Sequence, residues 1–138
     1  MPLTSPPLHK QIGVAVISND RGKILIDRRK EQGEMGGLWE FPGGKIEAGE
    51  TIEECIKREV KEELDIEIMV GDRLTTITHA YKTFKVTLHV HKCYYLSGIP
   101  QTLECEEIQW VEPAQMSEYQ FPQANTQIVN LLQQRDIS

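Results

Sequence analysis

No apolar run in the 138-residue chain approaches the roughly 20 residues that a membrane-crossing helix needs. The opening residues, MPLTSPP, lack the apolar stretch of a secretory leader, so residues 1–9 are expected to be a flexible N-terminal tail and residues 10–138 a single domain. Cysteine is scarce: Cys55, Cys93 and Cys105 show no paired spacing and no Cys-x-x-Cys. That argues against a disulfide framework or a zinc knuckle and predicts reduced, structural thiols in a cytoplasmic protein. Basic surplus is also missing, with 15 Lys+Arg against 21 Asp+Glu and a net charge of −6. A surface built to grip a nucleic-acid polymer normally carries a basic patch, so no such partner is expected, and no membrane partner either. His89 and His91 alternate on a strand-like run with no ligand partner at metal spacing, and are read as sheet-face residues rather than zinc ligands. No internal repeat is visible, and a monomer is expected.

What is present is alternation, punctuated by turns. KQIGVAVIS at 10–18 reads as a buried strand, NDRG as a turn, and KILIDRR at 23–29 as the returning strand of a hairpin. Arg28 and Arg29 then point to opposite faces, one of them free to meet a phosphate or base. A polar, glycine-rich loop at 30–37 leads to the short strand LWEFPGG. Trp39 and Phe41 share one face of it and Glu40 takes the other. A strand begins at Ile66, a broken strand runs on to about His79, and 84–96 is a long strand with Val86, Leu88 and Val90 on one face. Lys85, Thr87, His89 and His91 take the opposite face. The C-terminal segment reads as a helical turn, a proline break and a final helix buried through Ile128, Val129, Leu131 and Leu132.

Between these lies GGKIEAGETIEECIKREVKEELDI, residues 43–66. Thr51 and Glu54 have capping-box spacing, which starts a helix. At about 100° per residue, Ile52, Cys55, Ile56, Val60 and Leu64 form an apolar arc, with Lys57, Lys61, Glu53 and Glu54 largely outside it. Glu59, Glu62 and Glu63 fall between or beside the apolar positions, so three carboxylates are expected to converge on the inward side. A solvated, ion-paired face explains the outer charges but not these three. Repelling, partly buried acids need a compensating cation. Arg58 is one, directed beside Glu62; a hard divalent ion shared with substrate phosphates is the fuller answer.

Gly44, Glu50, Arg58-Glu59-Val60, Glu62-Glu63 and Ile66 stand at the spacing of the Nudix box, and the stretch resembles that box at eight of its nine defining positions. The ninth, normally glycine, is Asp65. The resemblance, looser outside the box and FPQAN, extends over about residues 10–133 and is closest to MutT-type Nudix hydrolases. It implies an α/β fold, the Nudix α/β/α sandwich with a mixed β-sheet and a loop–helix–loop. It further implies hydrolysis of a nucleoside triphosphate, 8-oxo-dGTP to 8-oxo-dGMP and pyrophosphate, by water attacking the β-phosphorus with Mg²⁺, or Mn²⁺, as cofactor. Other outcomes are a pyrophosphatase for an oxidised or methylated pyrimidine nucleotide, or a noncatalytic module that binds oxidised guanine.

Carried onto this chain, the resemblance implies metal ligation by Glu59, Glu62, Glu63, Glu104 and the Gly43 carbonyl, with Glu106 and Glu107 as alternatives to Glu104. Glu59 or Glu104 is the base. Arg58 and Glu50 position the acids. Substrate is met by Arg29, Glu40, Phe41, Pro42, Gly43, Lys45, Phe84 and Asn125. Asn125, in FPQAN, is a helix cap or turn residue on its own chemistry and a base reader by resemblance. Phe84 stands where the bacterial MutT reference carries arginine near the base. Asp65, after the helix, is expected in the left-handed conformation that aspartate tolerates better than most residues.

Overall fold

The computed structural model describes residues 8–33 and 35–137, with side chains through Gln134. Residues 1–7 of the expected tail lie outside the described residues, and Leu8 and His9 already belong to the first strand. The strands are β1 (Leu8–Ser18), β2 (Ile24–Arg28), β3 (Trp39–Glu40), β4 (Gly43–Lys45), β5 (Glu67–Ala80), β6 (Phe84–Ser97) and β7 (Glu107–Val111). The helices are α1 (Ile52–Leu64), a 3-10 turn at Pro113–Glu118, and α2 (Gln123–Ile137).

One sheet runs β3-β2-β1-β6-β5, with β4 on β1 and β7 on β2. It is mixed: β1 and β6 are parallel, from Leu8↔Phe84 to Ser18↔Tyr94, and the other pairs are antiparallel. The expected hairpin closes at Ser18↔Ile24. The expected broken strand before His79 is one long strand, β5, whose pairing to β6 slips between Val70 and Thr75. Such bulges bend a strand without ending it.

Alternation along the strands divides the core into two. Val14, Val16, Ile24, Ile26, Val86, Leu88 and Val90 face α2, against Ala124, Ile128, Val129 and Leu132. Ala15, Ile17, Leu25 and Cys93 face α1, against Ile56, Val60 and Leu64. This is the α/β/α sandwich, and it follows from period-2 strands that are apolar on both faces. His91 is buried on the α1 side, and its Nδ1–H donates to the Gly71 carbonyl at 2.9 Å. Cys55, Cys93 and Cys105 are all buried and free; burial pushes the first thiol up to about 11 and the other two to about 12. They act as small hydrophobes. Among the described residues no helix is long and apolar enough to cross a membrane.

Candidate active site: an acid-lined cleft beside α1

The box helix forms as its sequence dictates. Thr51 Oγ1 accepts from the Glu54 N–H at 3.1 Å while Glu54 Oε1 accepts from the Thr51 N–H at 2.9 Å. At the other end Asp65 is left-handed (φ 56°, ψ 41°) and its N–H donates to the Lys61 carbonyl. β4, paired to β1 through Gly13↔Gly44 and Val14↔Gly43, lays the preceding loop beside the helix. A Cβ on Gly44 would stand 2.3 Å from the Glu59 carboxyl carbon, and one on Gly43 would stand 2.1 Å from the Gly13 carbonyl. At Gly43 the obstacle is backbone and no side chain fits, whereas at Gly44 a side chain would displace the Glu59 carboxylate, so backbone and carboxylate approach closely.

Arg58 is the hub of an ion network. Its Nε donates to Glu50 at 2.6 Å, Nη1 to Glu59 at 2.9 Å and to Glu62 at 3.0 Å, and Nη2 to the Lys45 carbonyl at 3.1 Å. Its bonds to Glu50, above all, raise its pKa further, and Arg58 in turn lowers that of Glu50. Glu62 departs from expectation. Its side chain is exposed and pairs with Arg58 rather than joining Glu59 and Glu63. At about 100° per residue it lies 20° beyond Cys55, the edge of the apolar arc, and the guanidinium on that edge draws it outward.

Glu63 does point inward. Burial, then the charges of Asp27, Glu40 and Glu59, push its carboxyl up to about 9, with the Gly43 N–H at 3.2 Å giving partial relief. Glu59 is raised by burial as well, Arg58 opposing and the Glu62 and Glu104 charges adding. Asp27, 4% exposed, is raised well above its ordinary value by burial and by Glu40, which itself pairs with Arg29 at 2.8 Å. Asp27 is missing from the sequence reading. Its signal is there in Ile24-Leu25-Ile26-Asp27, where it shares the face of fully buried Leu25.

All of these acids but Asp27 and Glu62 border a cleft of about 610 Å³. Glu40, Glu59, Glu63 and Glu104 line one end, with Gly43, Gly44, Arg29 and Lys45. Ile12, Val14, Val86, Leu88, Tyr81 and Phe84 line the other, closed by Pro122, Ala124 and Asn125. Of the expected site residues, Arg29, Glu40, Phe41, Gly43, Lys45, Glu59, Glu63, Phe84, Glu104 and Asn125 meet there. Pro42 does not: it is fully buried, and its carbonyl accepts from the Ala15 N–H at 2.8 Å. Arg58 and Glu62 stand behind the cleft wall. Among the three loop acids, Glu104 reaches the cleft, whereas Glu107 pairs with Arg28 at 3.6 Å and Glu106 is exposed. Lys10 and Tyr81 line it as well and were not anticipated.

Asn125 sits in the first turn of α2 rather than at its cap. Its N–H donates to the Pro122 carbonyl, and its side-chain amide has no hydrogen-bond partner among the described residues. Stacking of Phe41 on Phe121, with centroids 5.4 Å apart, and the Trp39 N–H bond to the Gln120 carbonyl fix FPQAN against the strand before the box. The Tyr81 hydroxyl accepts from the Ala124 N–H at 3.0 Å.

Among the described residues no three His, Cys, Asp or Glu side chains are gathered closely enough to hold a metal ion as they stand. The ion pairs of Arg58 and the mutual repulsion of the acids account for the spread. The donor chemistry nonetheless fits a hard cation: Glu63 buries a carboxyl among three other acids, and the neighbouring guanidinium is spent on Glu50, Glu59 and Glu62.

A model of the NUDIX domain family matches residues 13–131. The chain is 32% identical over 122 residues to a protein of Haemophilus influenzae named 8-oxo-dGTP diphosphatase, covering 88% of this chain and 90% of that one. It is 33% identical over 118 residues to the CTP pyrophosphohydrolase of Escherichia coli, covering 83% and 84%. The solved structure of a MutT protein from Methanosarcina mazei superposes with a TM-score of 0.85 at 24% identity, over 98% of this chain and 100% of that one, which speaks for the fold. With a match this long, and with the box folded as a capped helix after a glycine loop, the chain belongs to the NUDIX domain family.

Proposed function

We propose that this protein hydrolyses 8-oxo-dGTP to 8-oxo-dGMP and pyrophosphate, removing an oxidised nucleotide before it enters DNA. The observation that carries the reading is the two-ended cleft, in which half-buried acids of the box face an apolar pocket closed by Asn125. Two relatives bear names of nucleotide pyrophosphohydrolases, one for 8-oxo-dGTP and one for CTP.

Glu59, Glu62, Glu63, Glu104 and the Gly43 carbonyl would hold a divalent ion, Mg²⁺ by preference or Mn²⁺, Glu62 only if its carboxylate left Arg58. Such an ion, when bound, neutralises phosphate oxygens. The chain's own groups do the rest. Arg58 braces Glu59 and Glu50 and so holds the loop carbonyl of Lys45 in place. Lys45 and Arg29 offer positive charge to the phosphates. Glu59 or Glu104 takes the proton of the attacking water. Glu40 and Phe41 line the passage between the ends. The Asn125 amide accepts from N7–H of 8-oxoguanine through its oxygen and donates to O6 through its nitrogen.

The test is pyrophosphate release with Mg²⁺ and with chelator over a panel of 8-oxo-dGTP, dGTP, CTP, methylated and oxidised pyrimidine triphosphates, and ADP-ribose. The highest kcat/KM is expected for 8-oxo-dGTP, abolished by chelator. A preference for CTP or a modified pyrimidine moves the protein to the second relative's chemistry. Metal-independent binding without turnover reduces it to a recognition module.

A further inference from the structure

The apolar end of the cleft carries a cation that the acidic end does not account for. Lys10 stands on β1, opposite Val86 of β6 in the parallel register. By strand alternation it shares the face of Ile12 and Val14, whose side chains line the cleft floor. Its Nζ lies 4.3 Å from the centroid of the Phe84 ring, and Tyr81 stacks on the same ring with centroids 4.9 Å apart. The Tyr81 hydroxyl in turn accepts from the Ala124 N–H, one residue before Asn125. A chain of contacts thus runs Lys10–Phe84–Tyr81–Ala124, placing an ammonium and the Asn125 amide around one apolar pocket.

We propose that Lys10 is a specificity-determining residue that selects bases with a carbonyl oxygen, rather than an amino group, at C6 of a purine or C4 of a pyrimidine. An ammonium has three donors and no acceptor. It can meet a base oxygen while keeping its contact with the ring face, because its donors rotate. A keto base, such as guanine, 8-oxoguanine or uracil, offers an acceptor where adenine and cytosine offer an N–H₂ donor. Against an amino group the ammonium sets donor to donor, and in an apolar pocket that mismatch costs more than in water. Phe84 then serves as the post that carries Lys10, rather than as a surface for the base alone. The inference deepens the nucleotide-hydrolase reading and rests on it for the kind of ligand in the cleft. It adds a second, cationic donor at the keto oxygen to the Asn125 amide, which reads N7–H and O6.

Two pairs of triphosphates isolate the filter: 8-oxo-dGTP against 8-oxo-dATP, and UTP against CTP. For Lys10→Met, which retains length and apolar stem, the keto-to-amino ratio of kcat/KM is expected to fall about tenfold within each pair, mostly through KM. Lys10→Arg, which stays cationic and donor-only, is expected to hold the ratio within about twofold. Lys10→Gln, whose amide both donates and accepts, is a second way to lose it should the methionine variant fold poorly, as read by circular dichroism and a thermal melt. An unchanged ratio in a folded Met or Gln variant overturns the proposal. So does an equal loss on all four nucleotides, which would make Lys10 a phosphate-binding cation. A failure of the parent reading shows separately, as a wild-type preference for pyrimidines, and leaves the UTP/CTP pair to judge Lys10.

Discussion

The two ends of the cleft are built in opposite ways. The acidic end draws Gly43, Gly44, Lys45, Glu59 and Glu63 from one continuous stretch, residues 43–66, and Arg29, Glu40 and Glu104 from the end of β2, from β3 and from the loop before β7. The apolar end is assembled from β1, the turn between β5 and β6, β6 itself and the start of α2. Charge at the first end is densely paired through Arg58, whereas the second depends on strand register and aromatic stacking. On the proposed reading, chemistry rests largely on one capped helix and its loop, and selectivity on contacts between distant parts of the chain. The first should resist change and fail abruptly when a carboxylate is altered. The second should shift by degrees.

The sharpest way to break this division is Glu63→Gln. Turnover is expected to fall by roughly a hundredfold or more, as for loss of one preorganised charged group, while the ratio of kcat/KM between 8-oxo-dGTP and dGTP stays within about twofold. The folded state should gain on the order of 1 kcal/mol, because a buried acid among other acids becomes a neutral amide. Steady-state kinetics and urea unfolding measure both. Near-normal turnover would remove Glu63 from the reaction.

Acidity sharpens the same contrast. Glu63 is raised from 4.5 to about 9, so the native state binds its proton more tightly than the unfolded chain. Its stabilising contribution is complete below pH 4.5 and lost as pH rises through about 9. In chelator-containing buffer, unfolding free energy should therefore decline between pH 5 and 9, by at most about 1.4 kcal/mol per pH unit for this group. Glu63→Gln should flatten the decline. A stability rising over that range would contradict the assignment.

At the apolar end, Asn125→Ala is expected to cut the preference for 8-oxo-dGTP over dGTP about tenfold, mainly through KM, with kcat little changed. An unaltered ratio in a folded variant would return Asn125 to a purely structural place in the first turn of α2. The smallest effect is expected at Asp65. Its left-handed backbone carries a Cβ penalty, and its ion pair with Lys61, at 3.1 Å, is exposed. Asp65→Gly should be neutral or stabilising by up to about 1 kcal/mol, without effect on kcat. A clear loss on chemical denaturation would mean that the ion pair outweighs the backbone relief.

The same division explains what could be read beforehand. Capping chemistry, the inward turn of Glu59 and Glu63 and the left-handed Asp65 are set by neighbours within a few residues, and the structure shows each of them. Glu62 departs because a position 20° off the arc is decided by Arg58, whose pairing is shared among Glu47, Glu50, Glu59 and Glu62. Asp27 stayed hidden because knowing that the Leu25 face of β2 meets α1 requires the sheet order. Pro42 was placed in the substrate pocket, but its buried carbonyl is bound to β1. Lys10 and Phe84 could not be joined from the sequence, since nothing local pairs β1 with β6.

That parallel pairing also has a consequence in time. His9 bonds to Thr87 across 78 residues, and the ladder around them forms the cleft floor. Loops of that length close late and slow the search for the native state. During synthesis β1 leaves the ribosome first, yet waits for more than half the chain before its partner exists. The box helix can form as soon as its own residues emerge, whereas the cleft beside it is complete only after β6, the loop carrying Glu104 and the start of α2 have followed.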